Sequence, residues 1–380
     1  MRVFVCRYCL LFGMLLFTGC NNQPTEKTKD AGSQNKPASD VAGNKSEDVS
    51  GDDTEAVKAV EAVATSIKIN KQGWVTEVNF RKSSVADEQL KTLLKLKNLQ
   101  SILLNEAPIS DAGLKTLGQI KTLTNLDLRD CKISNDGLAH LTGLSNLKAL
   151  RLSGKNGNTE VDTDGMVHVG KLTNLKALLL DFLWIDGEGL GHLSGCTNLE
   201  ELYLAETLVA DEDLEQLKLF PKLKKLRISK LSQVTGAGLK HVAQVKGLIE
   251  LDLSENSSLF DADLVPISQL TNLKKLNLWR VALTDAGVAH LAPLVNLEWL
   301  NLDNTQLSDA GLKYLQGMTK LKFLHLGSTS ITDAGLPQLE GLKSLKDLKV
   351  TRTAVSEAGV KALKEKLPET EIQLKYLGEG

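Results

Sequence analysis

Aromatic residues are scarce: 4% of the 380 residues, with only four Trp and four Tyr. The core must therefore be aliphatic, and any gathering of rings stands out. Of five cysteines, Cys6, Cys9 and Cys20 lie in the first twenty residues. Cys131 and Cys196 remain, at positions that point inward, which suits two small buried apolar side chains. They make no disulfide framework and have no metal-ligand spacing, so no metal is expected. Neither sign of charge dominates, with 45 basic against 47 acidic residues and a formal net charge of -2. A polyanion binder would carry a basic stripe, so nucleic acid is not an expected partner. After the first twenty residues no apolar run approaches membrane-spanning length. H-E-x-x-H, G-x-S-x-G and G-x-x-x-x-G-K-[ST] are all absent, and no acid, base and nucleophile converge. Neither an enzyme nor a cofactor is expected.

What is present is a period. Residues 297–345 read LEWLNLDNTQLSDAGLKYLQGMTKLKFLHLGSTSITDAGLPQLEGLKSL, a 24-residue sentence given twice. The frame extends to anchors at Val75, Leu99, Leu123, Leu147, Leu175, Leu199, Leu223, Leu248, Leu273, Leu297, Leu321 and Leu345, twelve repeats in all. A strand-only unit follows at Ile372 and Leu374. The pattern L-x-x-L-x-L-x-x-T-x-I, then S/T-D-A-G-L, resembles the leucine-rich repeat. The slot filled by Cys131, Thr207, Thr305, Thr329 and Thr353 is similar to that of the cysteine-containing subfamily. The resemblance covers about residues 67–374. It implies an α/β solenoid: a parallel inner sheet, short helices on the convex side, and a concave face that binds protein. In eukaryotes such arrays often follow an F-box and present substrates to ubiquitin ligases; no F-box is present here.

The physics of one repeat supports this. The L-x-L core alternates inward with residues facing out. Each coil hides its leucines only against the next, so the array needs no single centre and its ends need covers. In the return, Ser308, Thr332 and Thr284 are placed as N-caps with Asp in the first turn. The glycines of A-G-L, such as Gly113 and Gly137, are expected to let neighbouring backbones approach.

The flanks divide the chain further. Residues 1–19 carry Arg2 and Arg7, a short apolar run and small residues before Cys20, the pattern of a signal peptide. The ending Phe-Thr-Gly-Cys resembles a bacterial lipobox, which implies that Cys20 is lipidated and anchors the protein to a membrane. An ordinary secretory signal is the alternative. Residues 20–52 are polar and read as a disordered tether. Residues 53–70 form an N-terminal cap, with an amphipathic helix over 54–65 and a strand at 67–69. Repeats fill 71–361, and 362–380 cap the far end.

Three local features remain. The insertion 153–165, with Asn158, Asp162 and Asp164, resembles a calcium loop, but Met166 stands where a ligand oxygen should be. Five of six histidines share one helical slot, which reads as packing or surface. On the sheet face one column runs Glu77, Ser101, Asn125, Ala149, Ala177, Glu201, Lys225, Glu250, Lys275, Trp299, Phe323, Asp347. A second runs Glu206, Lys230, Glu255, Arg280. Signs alternate in both, so the middle of the face should neutralise itself. Alternation stops at Trp299 and Phe323, with Asn277, Trp279, Asn301, Asp303 and His325 expected to face outward beside them. Rings rimmed by polar groups suit a contact surface, though they also suit plain cross-strand packing. Phe182, Trp184 and Tyr203 form a weaker second cluster. The leading expectation is a tethered monomer gripping a protein or peptide. The alternatives are a structural envelope protein, and a substrate-recognition role like that of F-box-associated arrays. A carbohydrate ligand would also suit Trp, Asn and Asp.

Overall fold

A computed structural model describes residues 51–375. The signal peptide, Cys20 and nearly all of the tether lie outside the described residues, as do the last five residues. One 14-stranded sheet runs in strict sequence order. Its strands are β1 (Ser66–Ile69), β2 (Val75–Asn79), β3 (Ser101–Leu103), β4 (Asn125–Asp127), β5 (Ala149–Arg151), β6 (Ala177–Leu179) and β7 (Glu201–Tyr203). They continue with β8 (Lys225–Arg227), β9 (Glu250–Asp252), β10 (Lys275–Asn277), β11 (Trp299–Asn301), β12 (Phe323–His325), β13 (Asp347–Lys349) and β14 (Glu371–Gln373). From β2 onward neighbours are parallel and in repeat register: Trp299 faces Phe323, Leu300 faces Leu324, and Asn301 faces His325. The central leucine or isoleucine of every strand from β3 to β13 is buried in one continuous aliphatic core.

A tight turn leaves almost every strand at the same place. Eleven non-glycine residues there are left-handed, from Lys82 at φ 56° to Arg352 at φ 55°. Each such residue costs about 1–2 kcal/mol. The gain is an N–H aimed along the stack: Glu206 N donates to Ser229 O at 3.0 Å, and Asn304 N to Gly327 O at 2.9 Å. In the ladder slot, Thr305, Thr329 and Thr353 turn their hydroxyls onto the carbonyls of Leu302, Leu326 and Val350. Asn256 also fills this slot. It is fully buried, donates to Ile228 O and Leu253 O, and accepts from Leu231 N.

The returns carry a second ladder, and it corrects the expectation for the glycines. Asp111 accepts from Ser134 N at 2.9 Å and from Ser134 Oγ at 2.6 Å, one coil away. Asp87, Asp211, Asp261, Asp285, Asp309 and Asp333 do the same for Ser110, Thr235, Thr284, Ser308, Thr332 and Ser356. A Cβ on Gly137 would sit 2.0 Å from Asp111 Oδ1. The glycine thus makes room for a carboxylate from the previous coil rather than for its backbone. Around the insertion the pair is exchanged: Thr163 Oγ1 donates to Asp186 Oδ1 at 2.8 Å, hydroxyl first and carboxylate second.

At the N-terminal end, β1 pairs antiparallel with β2 and takes up the sheet edge. The helix Thr54–Glu61 buries Ala56 and Val60 against the first coil. It stops before residue 65 because the chain turns into the sheet, with Thr65 N donating to Asn79 O at 2.7 Å. Asp52 belongs with this cap, accepting from Val75 N at 2.7 Å and Lys97 N at 2.8 Å. At the other end the helix Glu357–Lys366 precedes β14.

Candidate functional site

The solvent face of the sheet is built from the first and third residues of each strand. The residue two places beyond is half-buried at Arg129 and Trp279 but buried at Ser229, Ser254, Asp303 and Thr351. On the first column Lys225 and Lys275 flank Glu250 at 3.3 and 3.5 Å. On the turn beyond, Lys230 meets Glu206 at 2.6 Å and Arg280 meets Glu255 at 3.4 Å. Exposed pairs of this kind contribute at most ~1 kcal/mol each. Their effect is to cancel charge along the face.

Trp299 and Phe323 follow directly. Their rings lie 4.9 Å apart at 5°, a face-to-face stack bridging β11 and β12. Both are half-buried. They pack across strands and still keep a solvent edge. His325 adjoins Phe323 at 6.3 Å, and Lys349 Nζ stands 5.5 Å over the Phe323 ring. Trp279 carries the Arg280 guanidinium at 5.4 Å. Asn277 Oδ1 accepts from Trp279 N, and Asn301 Oδ1 accepts from Asp303 N. Their amide NH₂ groups donate to nothing among the described residues, leaving two donors between the aromatic rows.

Asp303 departs from the expectation that it faces solvent. It is only 8% exposed. It stands where the chain leaves the strand, one residue before the left-handed Asn304, and neighbouring coils close around it. His325 Nδ1 lies 3.7 Å from Asp303 Oδ2 and 3.2 Å from Asn301 Oδ1. Burial holds the His325 imidazole below its ordinary range, and Lys349 pushes the same way against the pull of Asp303 and Asp347.

The second cluster does not assemble. Trp184 is 75% exposed and pairs through its backbone with Asp162, in the short bridges behind the sheet turn. Phe182 is a left-handed turn residue, and Tyr203 lies on β7. No ring contact joins the three among the described residues.

A cavity of about 330 Å³ opens on the face, with Tyr203 and Trp299 among its walls and Arg227, Asp252, Lys275 and Asn277 between. Arg227 bridges Asp181 at 3.1 Å and Asp252 at 3.5 Å. Burial pushes the Asp181 carboxyl up even with Arg227 beside it, and burial likewise raises the Tyr203 hydroxyl. Reading the third strand position down the repeats (Tyr203, Arg227, Asp252, Asn277) marks this cavity in the sequence.

Hydrogen bonds to neighbouring coils fix the insertion 153–165. Asn156 donates to Asp130 O, and Asp162 takes the Asn135 amide at 2.7 Å. No group of three His, Cys, Asp or Glu that could hold a metal occurs among the described residues. Burial pushes the Cys131 thiol up to about 12 and the Cys196 thiol up to about 11. No helix among the described residues is long and apolar enough to cross a membrane.

Comparison with known proteins agrees with this architecture. A family model described as Leucine Rich repeat matches residues 119–141. No curated protein matches the chain. Among solved structures, an internalin (inlF) from Listeria monocytogenes is similar at 20% identity and a TM-score of 0.57, covering 86% of this chain and 96% of its own. An internalin C2 (inlC2) from the same organism is 22% identical with a TM-score of 0.40, covering 62% and 83%. In fold, with its single sheet, parallel from β2 onward, and its short return helices, the protein is a leucine-rich repeat solenoid.

Proposed function

We propose that this protein is a membrane-tethered interaction module whose concave sheet face holds a protein or peptide at repeats nine to eleven. The fold generally serves protein–protein interaction. The observation that carries the location is the Trp299–Phe323 stack, half-exposed beside middle coils whose lysines and glutamates pair with one another. Trp279, Asn301, Asp303 and His325 surround it, and the Tyr203–Trp299 cavity continues it along the sheet. Aromatic anchors ringed by polar groups carry most of the energy of protein contacts. No catalytic role is assigned. The tether is read from the lipobox-like sequence at Cys20, which places the domain outside the cytoplasm on a lipid anchor.

The test is a pull-down from cell-envelope extract with the full chain and with W299A/F323A. Capture by the wild type, lost in the variant while both unfold at nearly the same temperature, supports the reading. A variant that captures the same proteins sinks it and leaves a structural envelope role. Labelled palmitate that fails to enter the wild type, or enters a Cys20→Ala chain equally, removes the anchor.

A further inference from the structure

On this face one buried charge lacks its partner, and other coils show what partner fits. Three carboxylates of the face are buried: Asp127, Asp181 and Asp303. Asp127 is held by Arg129 at 2.9 and 2.7 Å and by Arg81 at 3.2 Å. Asp181 is held by Arg227 at 3.1 Å and by the Ala205 N–H at 2.7 Å. Each therefore has a guanidinium reaching across from two coils away.

Asp303 has none. Lys349 follows it by the same 46 residues that separate Arg227 from Asp181. Its ammonium lies over the Phe323 ring instead. His325 approaches only to 3.7 Å, beyond hydrogen-bond distance. Asp303 Oδ1 has no partner among the described residues, and neither has Thr351 Oγ1. Thr351 is only 1% exposed. The two orphan oxygens close over Gly327, where an added Cβ would come within 2.8 Å of each. Gly327 stands between them in the same row, two places beyond each strand, that also holds Trp279. Native structures rarely leave such buried atoms unpaired, and those that do call for an explanation.

We infer that Asp303 is the specificity anchor of the face and receives the guanidinium of an arginine on the bound protein or peptide. This rests on the binding reading above. A guanidinium presents a planar fork of donors that can meet both carboxylate oxygens, whereas an ammonium is a point charge. The Asp303 side chain keeps 11% of its surface open. A turn about its soft χ2 torsion exchanges the two carboxylate oxygens, so either can stand at that opening. The Trp299–Phe323 stack, on the coil of Asp303 and the next one, offers apolar surface to the stem.

The experiment selects a random peptide library displayed on phage against the immobilised full-length protein, with W299A/F323A as counter-selection. Enriched sequences should share an arginine. A synthetic copy with citrulline at that place should bind at least about 30-fold more weakly, and D303N should lose as much for the arginine peptide. Unfolding of D303N supplies an independent reading: it should melt no earlier than the wild type, whereas D127N, which breaks a satisfied pair, should melt earlier. Enrichment without arginine, a citrulline peptide that binds equally, or a D303N that melts as early as D127N overturns the inference while leaving the aromatic surface standing. A library yielding no sequence that depends on Trp299 and Phe323 overturns both.

Discussion

The carboxylate ladder behind the sheet gives a prediction in which sign, not only size, decides. Asp111 meets Ser134 through two hydrogen bonds, and Gly137 lies against the same carboxylate. Asp111→Ala removes a charged acceptor from two half-buried donors, a loss of roughly 2–3 kcal/mol. Gly137→Ala alone forces a methyl to within 2.0 Å of Asp111 Oδ1 and 2.6 Å of its Cγ. That overpacking costs roughly 1–3 kcal/mol, against about 1 kcal/mol gained from helix propensity. With Asp111 already gone, the methyl enters the vacated space, where the nearest atom outside Asp111 is the tip of Leu114 at 3.1 Å. Gly137→Ala should then stabilise, by roughly 0.5–1 kcal/mol. The double variant is expected to be firmer than Asp111→Ala alone, although each change by itself weakens the protein. Urea unfolding of the four proteins, followed by far-ultraviolet circular dichroism, reads the cycle directly. If Gly137→Ala weakens the chain equally with and without Asp111, the carboxylate is not what the glycine makes room for.

Other consequences are simpler to check. Since burial lowers the His325 pKa, the folded chain binds fewer protons than the unfolded chain just below pH 6.5. Its contribution is therefore complete above that value and lost as pH falls. Relative to His325→Gln, the wild type should lose stability on acidification, and a constant difference between pH 7 and 5 would refute this. Cys131 and Cys196, with thiols raised to about 12 and about 11, should not react with a disulfide reagent at pH 8 until the chain is unfolded. Rapid labelling of the native protein would contradict their burial. Asn256→Ala strands Leu231 N–H and two carbonyls and should cost about 3 kcal/mol or more in urea unfolding, while Asn304→Ala, exposed on its turn, should cost less than half of that.

Sequence period decided the fold because a leucine every 24 residues has one economical solution, and the register of β11 on β12 is the one the anchors imply. Pairing between coils was harder to see. Asp111 and Ser134 are 23 residues apart, and each has a sufficient local explanation, as first-turn acid and as N-cap. Only stacked coils show that they bond to one another. The left-handed turn was hidden for a different reason. Glycine usually marks such a position, yet here Lys, Glu, Arg, Phe, Asn and Ser occupy it, because the hydrogen bond along the stack outweighs the local cost. Among candidate site residues, Trp299, Phe323 and His325 share a patch as strand alternation implies. Alternation also sends Asp303 outward, but parity counts residues and not what neighbouring coils lay over them. Trp184 fails similarly, since proximity along the chain to β6 does not keep it on that sheet face once the turn has passed.

The same translation that makes the fold legible also says where function should be sought. Every coil must satisfy its own backbone and its neighbour's, so ladder slots, return carboxylates and core leucines are bound to the period. Outward strand positions are not, and selection can vary them at small cost in stability. In the middle of this face the paired charges obey a nearest-neighbour rule: Lys225, Lys230 and Arg280 each have an acid one coil away. Asp127 and Asp181 obey a longer rule, with a guanidinium two coils away. Asp303 breaks it, and it does so beside the one stack of aromatic rings among the described residues. If solvation alone governed the face, an aspartate without a guanidinium would be expected in the open, as Glu255 is more nearly placed. A carboxylate buried and left unpaired at the aromatic patch is costly in isolation, and a partner that brings the missing donors is the condition under which that cost is recovered.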